Sequence, residues 1–336
     1  TVHQWNFGIQ RQLPQGFVGH VAYVGRRGTR LYRAYDINQI NSDSILPDFL
    51  AMQRNYGKGC RPDGSNCPAG VTGESISLVT SGVLTSAFVN SSTSITDINN
   101  NGAGNFAGRI EGNTLALRLR PNQQFGVATY IDSGGDSYYH SAQATLRRRY
   151  ANGMLVGVAY TLQKSIDDQS VDPIGSSSGG GLSTTNSRTP TDIRNWRNER
   201  GRSSFDRRHL LVATWVYDLP FGRGKRLGGG IPKALNFLVG NWSVNGIYTY
   251  MSGNAFSVMS GTRTANYSHQ SRADLAGKMP EVKLTDVPGI VGPVYFAGLT
   301  SAFKAPAPGS NGMGRNMFTG PSFWNLDAGL TKTFRP

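Results

Sequence analysis

Apolar and polar residues alternate along much of this chain with a period of two. The clearest stretch is 138–165. One phase carries Tyr138, Ala142, Ala144, Leu146 and Tyr150, and the other Ser141, Gln143, Thr145, Arg147 and Arg149. Ala151-Asn152-Gly153 follows, and Asn-Gly accepts the positive φ that tight hairpins require. The chain returns with Met154, Val156, Val158, Tyr160 and Leu162 against Gly157, Ala159, Thr161 and Gln163. Such runs predict strands of about ten residues with one oily and one wet face. Tilted strands of this length suit a bilayer crossing better than an ordinary soluble sheet.

The same reading predicts about nine long strands, near 3–12, 17–26, 113–120, 124–132, 138–150, 154–165, 209–218, 240–251 and 322–334. Trp5, Phe7 and Ile9 define the oily phase of the first. Leu115, Leu117 and Leu119 alternate with Ala116, Arg118 and Arg120 in the third. Residues 17–26 and 209–218 are apolar in both phases, which leaves their facing open. The links Leu13–Gly16, Pro121–Gln123 and Ala151–Gly153 are tight. Those at 27–112, 166–208 and 252–321 are long and rich in Gly, Ser, Asn and Pro, with 133–137 a short member of that set. In strand order the tight links fall at one end and the long ones at the other, with 219–239 a longer member of the tight side. Membrane barrels sort their connections this way, with short periplasmic turns and long external loops. The expected fold is therefore all-β: an antiparallel up-and-down transmembrane β-barrel, partial at about nine strands, with long surface loops. Within those loops Ser44–Asn55 predicts a short helix, and Ser75–Val89 either a loop strand pair or a segment packed into the lumen.

Composition narrows the class. The chain has 336 residues, 38% of them hydrophobic, and no run approaches the ~18 apolar residues of a membrane helix. That excludes a helical membrane protein and leaves a barrel open, because barrel strands are only half apolar. The net charge of +14 points to an anionic partner: nucleic acid, lipopolysaccharide or an anionic solute. The strand pattern competes with a soluble nucleic-acid-binding fold, so rims and loops facing lipid head groups are the favoured place for the arginines. Cys60 and Cys67 flank a Pro-Asp-Gly turn. Their spacing allows a small disulfide-closed loop, which would imply an oxidising compartment; free thiols are the alternative, and two thiolates make only half a zinc site. No signal peptide is visible in the sequence; either one has been removed or, the favoured expectation, the chain is an internal piece of a longer one.

Candidate chemistry is sparse. Gly175-Ser176-Ser177-Ser178-Gly179 matches a nucleophile elbow in letters, but it lies in a Ser/Gly tract rather than a strand–turn–helix. Gly222-Arg223-Gly224-Lys225 lacks the remainder of a phosphate loop and is expected to be a basic turn at the membrane surface. His3, His20, His140, His209 and His269 show no ligand spacing. No catalytic, metal or cofactor site is expected, and no enzymatic activity. Asp167-Asp168 is expected either to bind a cation or to be a solvated strand end answering Arg207 or Arg208. Arg118, Arg120, Arg147 and Arg149 share the polar phase, where they would either meet anions in the lumen or contact lipid phosphate at the periplasmic rim. Tyr150, Tyr217 and Trp242 near strand ends fit an interfacial aromatic girdle, with plain core aromatics as the alternative.

Several strings, taken in order, carry a resemblance. They are Gln4-Trp5-Asn6 with Gln10-Arg11, Ala22-Tyr23-Val24-Gly25 with Gly28-Thr29, and Tyr160-Thr161-Leu162-Gln163-Lys164-Ser165-Ile166-Asp167-Asp168. Next are Asn198-Glu199-Arg200-Gly201 with Ser204-Phe205-Asp206-Arg207-Arg208-His209, and Tyr217-Asp218-Leu219-Pro220-Phe221-Gly222-Arg223-Gly224. The last are Asn241-Trp242-Ser243-Val244-Asn245-Gly246 with Ser252-Gly253-Asn254-Ala255-Phe256, and Gly314-Arg315-Asn316 with Gly320-Pro321 and Phe323-Trp324-Asn325-Leu326-Asp327. This set resembles the barrel region of Oar-like TonB-dependent outer-membrane receptors, from residue 3 to 334 but outside 32–112 and 262–300. The resemblance implies a wide barrel of an outer membrane, an internal plug, and energised uptake or surface binding of a bulky solute through TonB. Residues 1–336 read as barrel alone; plug, N-terminal domain and final strands are not recognised among them. The expected partners are outer-membrane lipid and lipopolysaccharide, an unknown solute, and the TonB system through other segments. Two alternatives remain: a surface-exposed structural or adhesive barrel without transport, and a soluble basic β protein binding nucleic acid.

Overall fold

A computed structural model describes residues 1–113, 117–170, 190–267, 270–278, 284–292, 294 and 300–334. The Gly175–Gly179 stretch, Leu115, His269 and Arg335 lie outside them. Seven long strands form one antiparallel meander: β1 (Val2–Leu13), β2 (Phe17–Asp36), β3 (Thr129–Ala151), β4 (Met154–Asp167), β5 (His209–Asp218), β6 (Trp242–Met251) and β7 (Phe323–Lys332). Each pairs with its sequence neighbours, and β1 and β7 are the two edges of the open sheet. No helix among the described residues is long and apolar enough to cross a membrane.

The register settles the facing of every strand. Ile9 lies opposite Val21, Val21 opposite Ala144, and Ala144 opposite Tyr160. Tyr160 then meets Leu211, Leu211 meets Tyr250, and Tyr250 meets Trp324. Because opposed residues share a face, one apolar surface runs from β1 to β7. Its side chains are uncovered: Phe7 is 69% exposed and Leu330 61%. The opposite face carries Asn6, Gln10, His20, Gln143, Thr145, Thr161, Asn245, Asn325 and Thr331. The both-ways apolar strands are thereby assigned: Val21 and Tyr23, Leu211 and Trp215 are on the oily side, and Val18, Val24, Leu210 and Val212 on the wet side.

The strand expected at 113–120 is absent among the described residues, and of the one expected at 124–132 only Thr129–Asp132 is strand, as the first part of β3. A helix runs to Asn113; residues 117–120 are irregular, and Leu119 is buried among helices rather than on a sheet. Residues 133–137, expected to be a loop, lie inside β3, which continues unbroken from Thr129, while β2 extends to Asp36 instead of ending near residue 26. Register shifts between Gly28, Leu31 and Arg33 absorb the irregularity, so a Gly-rich stretch that reads as a break is bulged sheet. Losing one strand and merging another into β3 leaves the sorting of connections intact, with the Pro121–Gln123 turn now inside the long 37–128 connection. The turn at Pro14–Gly16 and the Asn152-Gly153 turn (φ 52° and 74°) lie at one end, together with the 219–241 link. The connections 37–128, 168–208 and 252–322 lie at the other.

Trp5 lies across Gly25 and Trp215 across Gly246, so a Cβ at either glycine would land inside an indole ring. Both pairs are cross-strand neighbours on the apolar face, and each ring covers the backbone its glycine leaves bare. Gly25→Val is expected to lower stability by about 1–3 kcal/mol through overpacking, read as a drop in the temperature at which the detergent-solubilised protein loses its folded electrophoretic mobility.

The buried hydrophobic core lies in the connections. Residues 37–128 fold around α1 (Leu46–Gly57), α2 (Ser77–Thr80), α3 (Ser86–Val89), α4 (Ser92–Asn99) and α5 (Ala103–Asn113). Phe49, Met52, Ile76, Val89, Phe106 and Ile110 form its centre, with Phe106 packed edge-on to Phe49 and Phe88. The helix read at 44–55 is α1. Residues 75–89, read as a strand pair or lumen segment, instead give α2 and α3. Thr85 and Ser91 cap α3 and α4 by accepting backbone N–H bonds. Cys60 and Cys67 are joined by a disulfide after α1.

Candidate functional site

At the top of the sheet the three long connections are fastened to one another. Ser42 donates to the Ala265 carbonyl at 2.6 Å, and Asn101 to that of Pro306 at 3.0 Å. Gly104 N–H reaches the Arg263 carbonyl at 2.8 Å. Arg194 bridges Asp192 and Asp43, joining the 168–208 and 37–128 segments. The centre of the junction is Glu199 with Arg272, each side chain only 4% exposed. Both guanidinium ends of Arg272 reach the carboxylate at 3.1–3.2 Å. Arg272 also donates to the carbonyls of Met313 and Asn198, at 2.7 and 2.9 Å, and Thr191 N–H donates to Glu199 at 2.9 Å. Burial pushes the Glu199 carboxyl up, but the charge and hydrogen bonds of Arg272, with those of Thr191, outweigh it and hold it below the usual carboxylate range.

Arg315 performs the same fastening beside it. It pairs with Asp167 at the end of β4, donates to Ser170 at 2.8 Å and to the Glu199 carbonyl at 2.7 Å. Asn316 donates to the Arg202 carbonyl at 2.6 Å. Asp167 therefore answers Arg315, not the Arg207 or Arg208 foreseen from the sequence. Asp168 accepts the Asp136 N–H at 3.0 Å, and burial raises its carboxyl above the ordinary value. Arg33, chelated by Asp132 at 2.8 and 3.1 Å, stacks 3.8 Å from the Trp196 ring and clamps the 168–208 segment onto β2 and β3.

These groups enclose a pocket of about 260 Å³ lined by Asp168, Trp196, Glu199, Met259, Arg272 and Arg315. It offers hydrogen-bonding groups of both charges beside an aromatic wall, a set suited to a polar moiety of a larger solute. Among the described residues no group of three His, Cys, Asp or Glu side chains is placed to hold a metal ion.

The arginines singled out by phase separate. Arg147 and Arg149 lie on the wet face near the turns, where they line a cleft of about 830 Å³ with Gln10, Gln12 and His20. Arg118 and Arg120 are on no strand, so they sit at neither a barrel wall nor a periplasmic rim. Arg120 donates to the carbonyls of Asn38 and Gly126 at 2.8 and 3.1 Å and lies 3.6 Å from Glu111. Arg118 is exposed on the same loop assembly. Tyr217 opposes Met154 and Val244 on the apolar face. Trp242 carries Lys332 over its ring at 4.6 Å, and the Tyr150 hydroxyl donates to Asp218 at 2.7 Å. All three aromatics occupy the tight-turn end. There Gly222-Arg223-Gly224-Lys225 opens the 219–241 link, with Lys225 3.8 Å from Asp218, and the link carries a short helix, α6 (Lys233–Val239). Glu199, Arg272 and Arg315 went unrecognised as a set from the sequence. Glu199 and Arg315 sit in strings noted only for their resemblance, and their partners lie far along the chain.

The outer membrane beta barrel domain family matches the chain over residues 1–336. The chain belongs to that family. This places the protein in the cell outer membrane and gives the two faces of the sheet their solvents: lipid against the Phe7–Leu330 side, water against the Gln143–Thr161 side. No curated protein and no solved structure matches the chain.

Proposed function

We propose that this outer-membrane barrel is a receptor and transporter for a bulky solute, TonB-dependent in its full-length form and of the Oar-like kind. The observation that carries the reading is the joining of a hydrated wall to a built mouth: the polar face of β1–β7 leads up to three interlocked connections holding the pocket at Asp168, Trp196 and Arg315. In this reading the connections recognise the solute, the barrel wall passes it, and no covalent chemistry is performed. The ordered strings from Trp5 to Asp327 support the TonB-dependent subtype.

The test compares cells lacking this gene with cells lacking TonB for uptake of labelled oligosaccharides, peptides and ferric chelates too large for diffusion pores. The expected result is at least one solute whose uptake falls equally in both strains. An uptake profile unchanged by loss of the gene, with reduced attachment of cells to surfaces, would replace transport with adhesion.

A further inference from the structure

On the lipid side of β2–β4, at the end remote from the turns, the apolar surface gives way to cations. The register aligns His3, Arg27, Tyr138 and Ile166 in one row across the strands, and Trp5, Gly25, His140 and Lys164 in the next row towards the turns. Arg27 and Arg200 both lie over the Tyr138 ring, at 5.2 and 4.8 Å from its centre. Two guanidinium groups are thus gathered on one ring, with Lys164 cross-strand from His140. Arg27, Lys164, Arg200 and His140 are all exposed. Among the described residues, none of Arg27, Lys164 and Arg200 has an ion pair or a side-chain hydrogen bond. From His3 to Ile166 these rows carry no carboxylate; Asp136 and Asp168 lie just beyond them, Asp168 accepting the Asp136 N–H at 3.0 Å and acting on Arg200 through charge without forming an ion pair with it.

Height fixes what this cluster faces. Tyr138 stands twelve positions along β3 from Tyr150, and Arg27 ten along β2 from Phe17. At the rise of a strand and the tilt of a membrane barrel this is roughly 25–30 Å along the membrane normal. The cluster therefore lies about one hydrocarbon thickness above the turn-end aromatics, at the level of the outer-leaflet head groups. Below it Tyr23 and His140 stack with their hydroxyl and Nδ1 2.7 Å apart, and Tyr160 and His209 repeat the arrangement two strands on. Such amphipathic rings mark the border between acyl chain and head group.

We infer that Arg27, Tyr138, Lys164 and Arg200 form a binding site for the phosphate of an anionic glycolipid of the outer leaflet. The guanidinium pair supplies the donors for phosphate oxygens, Lys164 adds a point charge, and the exposed apolar face beneath receives the acyl chains. Stacking on Tyr138 holds the two arginines side by side, which lowers the ordering cost of binding.

The test uses the protein extracted from outer membranes in mild detergent and delipidated, with binding of diphosphoryl lipid A measured by native mass spectrometry. Arg27→Gln combined with Arg200→Gln is expected to weaken binding by at least about tenfold. Lys164→Gln alone is expected to give a smaller loss, and Arg149→Gln at the opposite rim none. Heat-modified mobility confirms that each variant is folded. Should the double variant misfold, Arg27→Lys with Arg200→Lys keeps the charge, removes the fork geometry, and is expected to weaken binding detectably. Equal binding of dephosphorylated lipid A, or full binding by the folded double variant, overturns the proposal. Displacement of lipid A by millimolar inorganic phosphate would reassign the cluster to free phosphate and overturn the glycolipid assignment.

Discussion

Arginine in place of Ala144 is expected to destabilise the folded protein by about 2–4 kcal/mol, whereas arginine in place of its neighbour Gln143 is expected to leave stability nearly unchanged. The two positions are adjacent in sequence and differ only in face. Ala144 opposes Val21 and Tyr160, midway between the Asn152-Gly153 turn and the Tyr138 row, so its side chain meets the centre of the hydrocarbon. Gln143 opposes Ala22 and Thr161 on the watered side, where a long cation remains hydrated. The measurement is urea-dependent folding into lipid vesicles followed by gel mobility. Equal costs at the two positions, or the larger cost at Gln143, would refute the facing drawn from the register.

The second large effect is expected at the mouth. Glu199→Ala leaves the guanidinium of Arg272 buried without its counter-charge, and breaking such a pair costs about 3–5 kcal/mol. The loss falls on the docking of the connections, because neither residue is on a membrane strand. Trypsin is therefore expected to cut within 252–278 in the variant, with the strands left intact. Replacing both partners, Glu199→Ala with Arg272→Met, removes the stranded charge and is expected to restore much of the protection. The same pair sets an acid limit. Glu199 is depressed in the folded state, so its contribution is complete above the ordinary glutamate value of 4.5 and is lost as pH falls below it. Hydrogen exchange in 190–200 and 270–276 should accelerate on acidification, and in Glu199→Ala it should lack that dependence.

Much of the sheet was legible because its faces meet different solvents. Where lipid and water impose strict alternation, as in 138–150 and 154–165, sequence alone marks strand, face and turn. The third strand was misread for a specific reason. Leu117 and Leu119 alternate with Arg118 and Arg120 just as a barrel strand would, but their apolar phase is satisfied by the helical core and Arg120 by Glu111 and the Asn38 carbonyl. A period of two over so short a run does not distinguish lipid from the interior of a small domain. Ser133-Gly134-Gly135-Asp136 was misread in the opposite sense: the Arg33 guanidinium lies over Gly134, so the absence of a side chain there admits a cross-strand neighbour.

The pocket was opaque for a different reason. Its ion pairs join Glu199 to Arg272 and Asp167 to Arg315 across long stretches of chain, and no local spacing encodes a partner at that distance. The strings around Glu199 and Arg315 stood out as resemblances, and the structure brings them together at one junction. The arginines that phase did mark divided accordingly: Arg147 and Arg149 were placed by their strands, Arg118 and Arg120 by a domain that the alternation did not disclose.

The excursion holding that domain leaves the sheet after Asp36 and re-enters at Thr129, and these two residues face each other across β2 and β3. Its entrance and exit are thus neighbouring rungs of one ladder, while its stability derives from its own apolar centre. This cassette could be exchanged, lengthened or discarded without moving a single rung below it, so one connection can change its identity while the scaffold in the bilayer stays fixed.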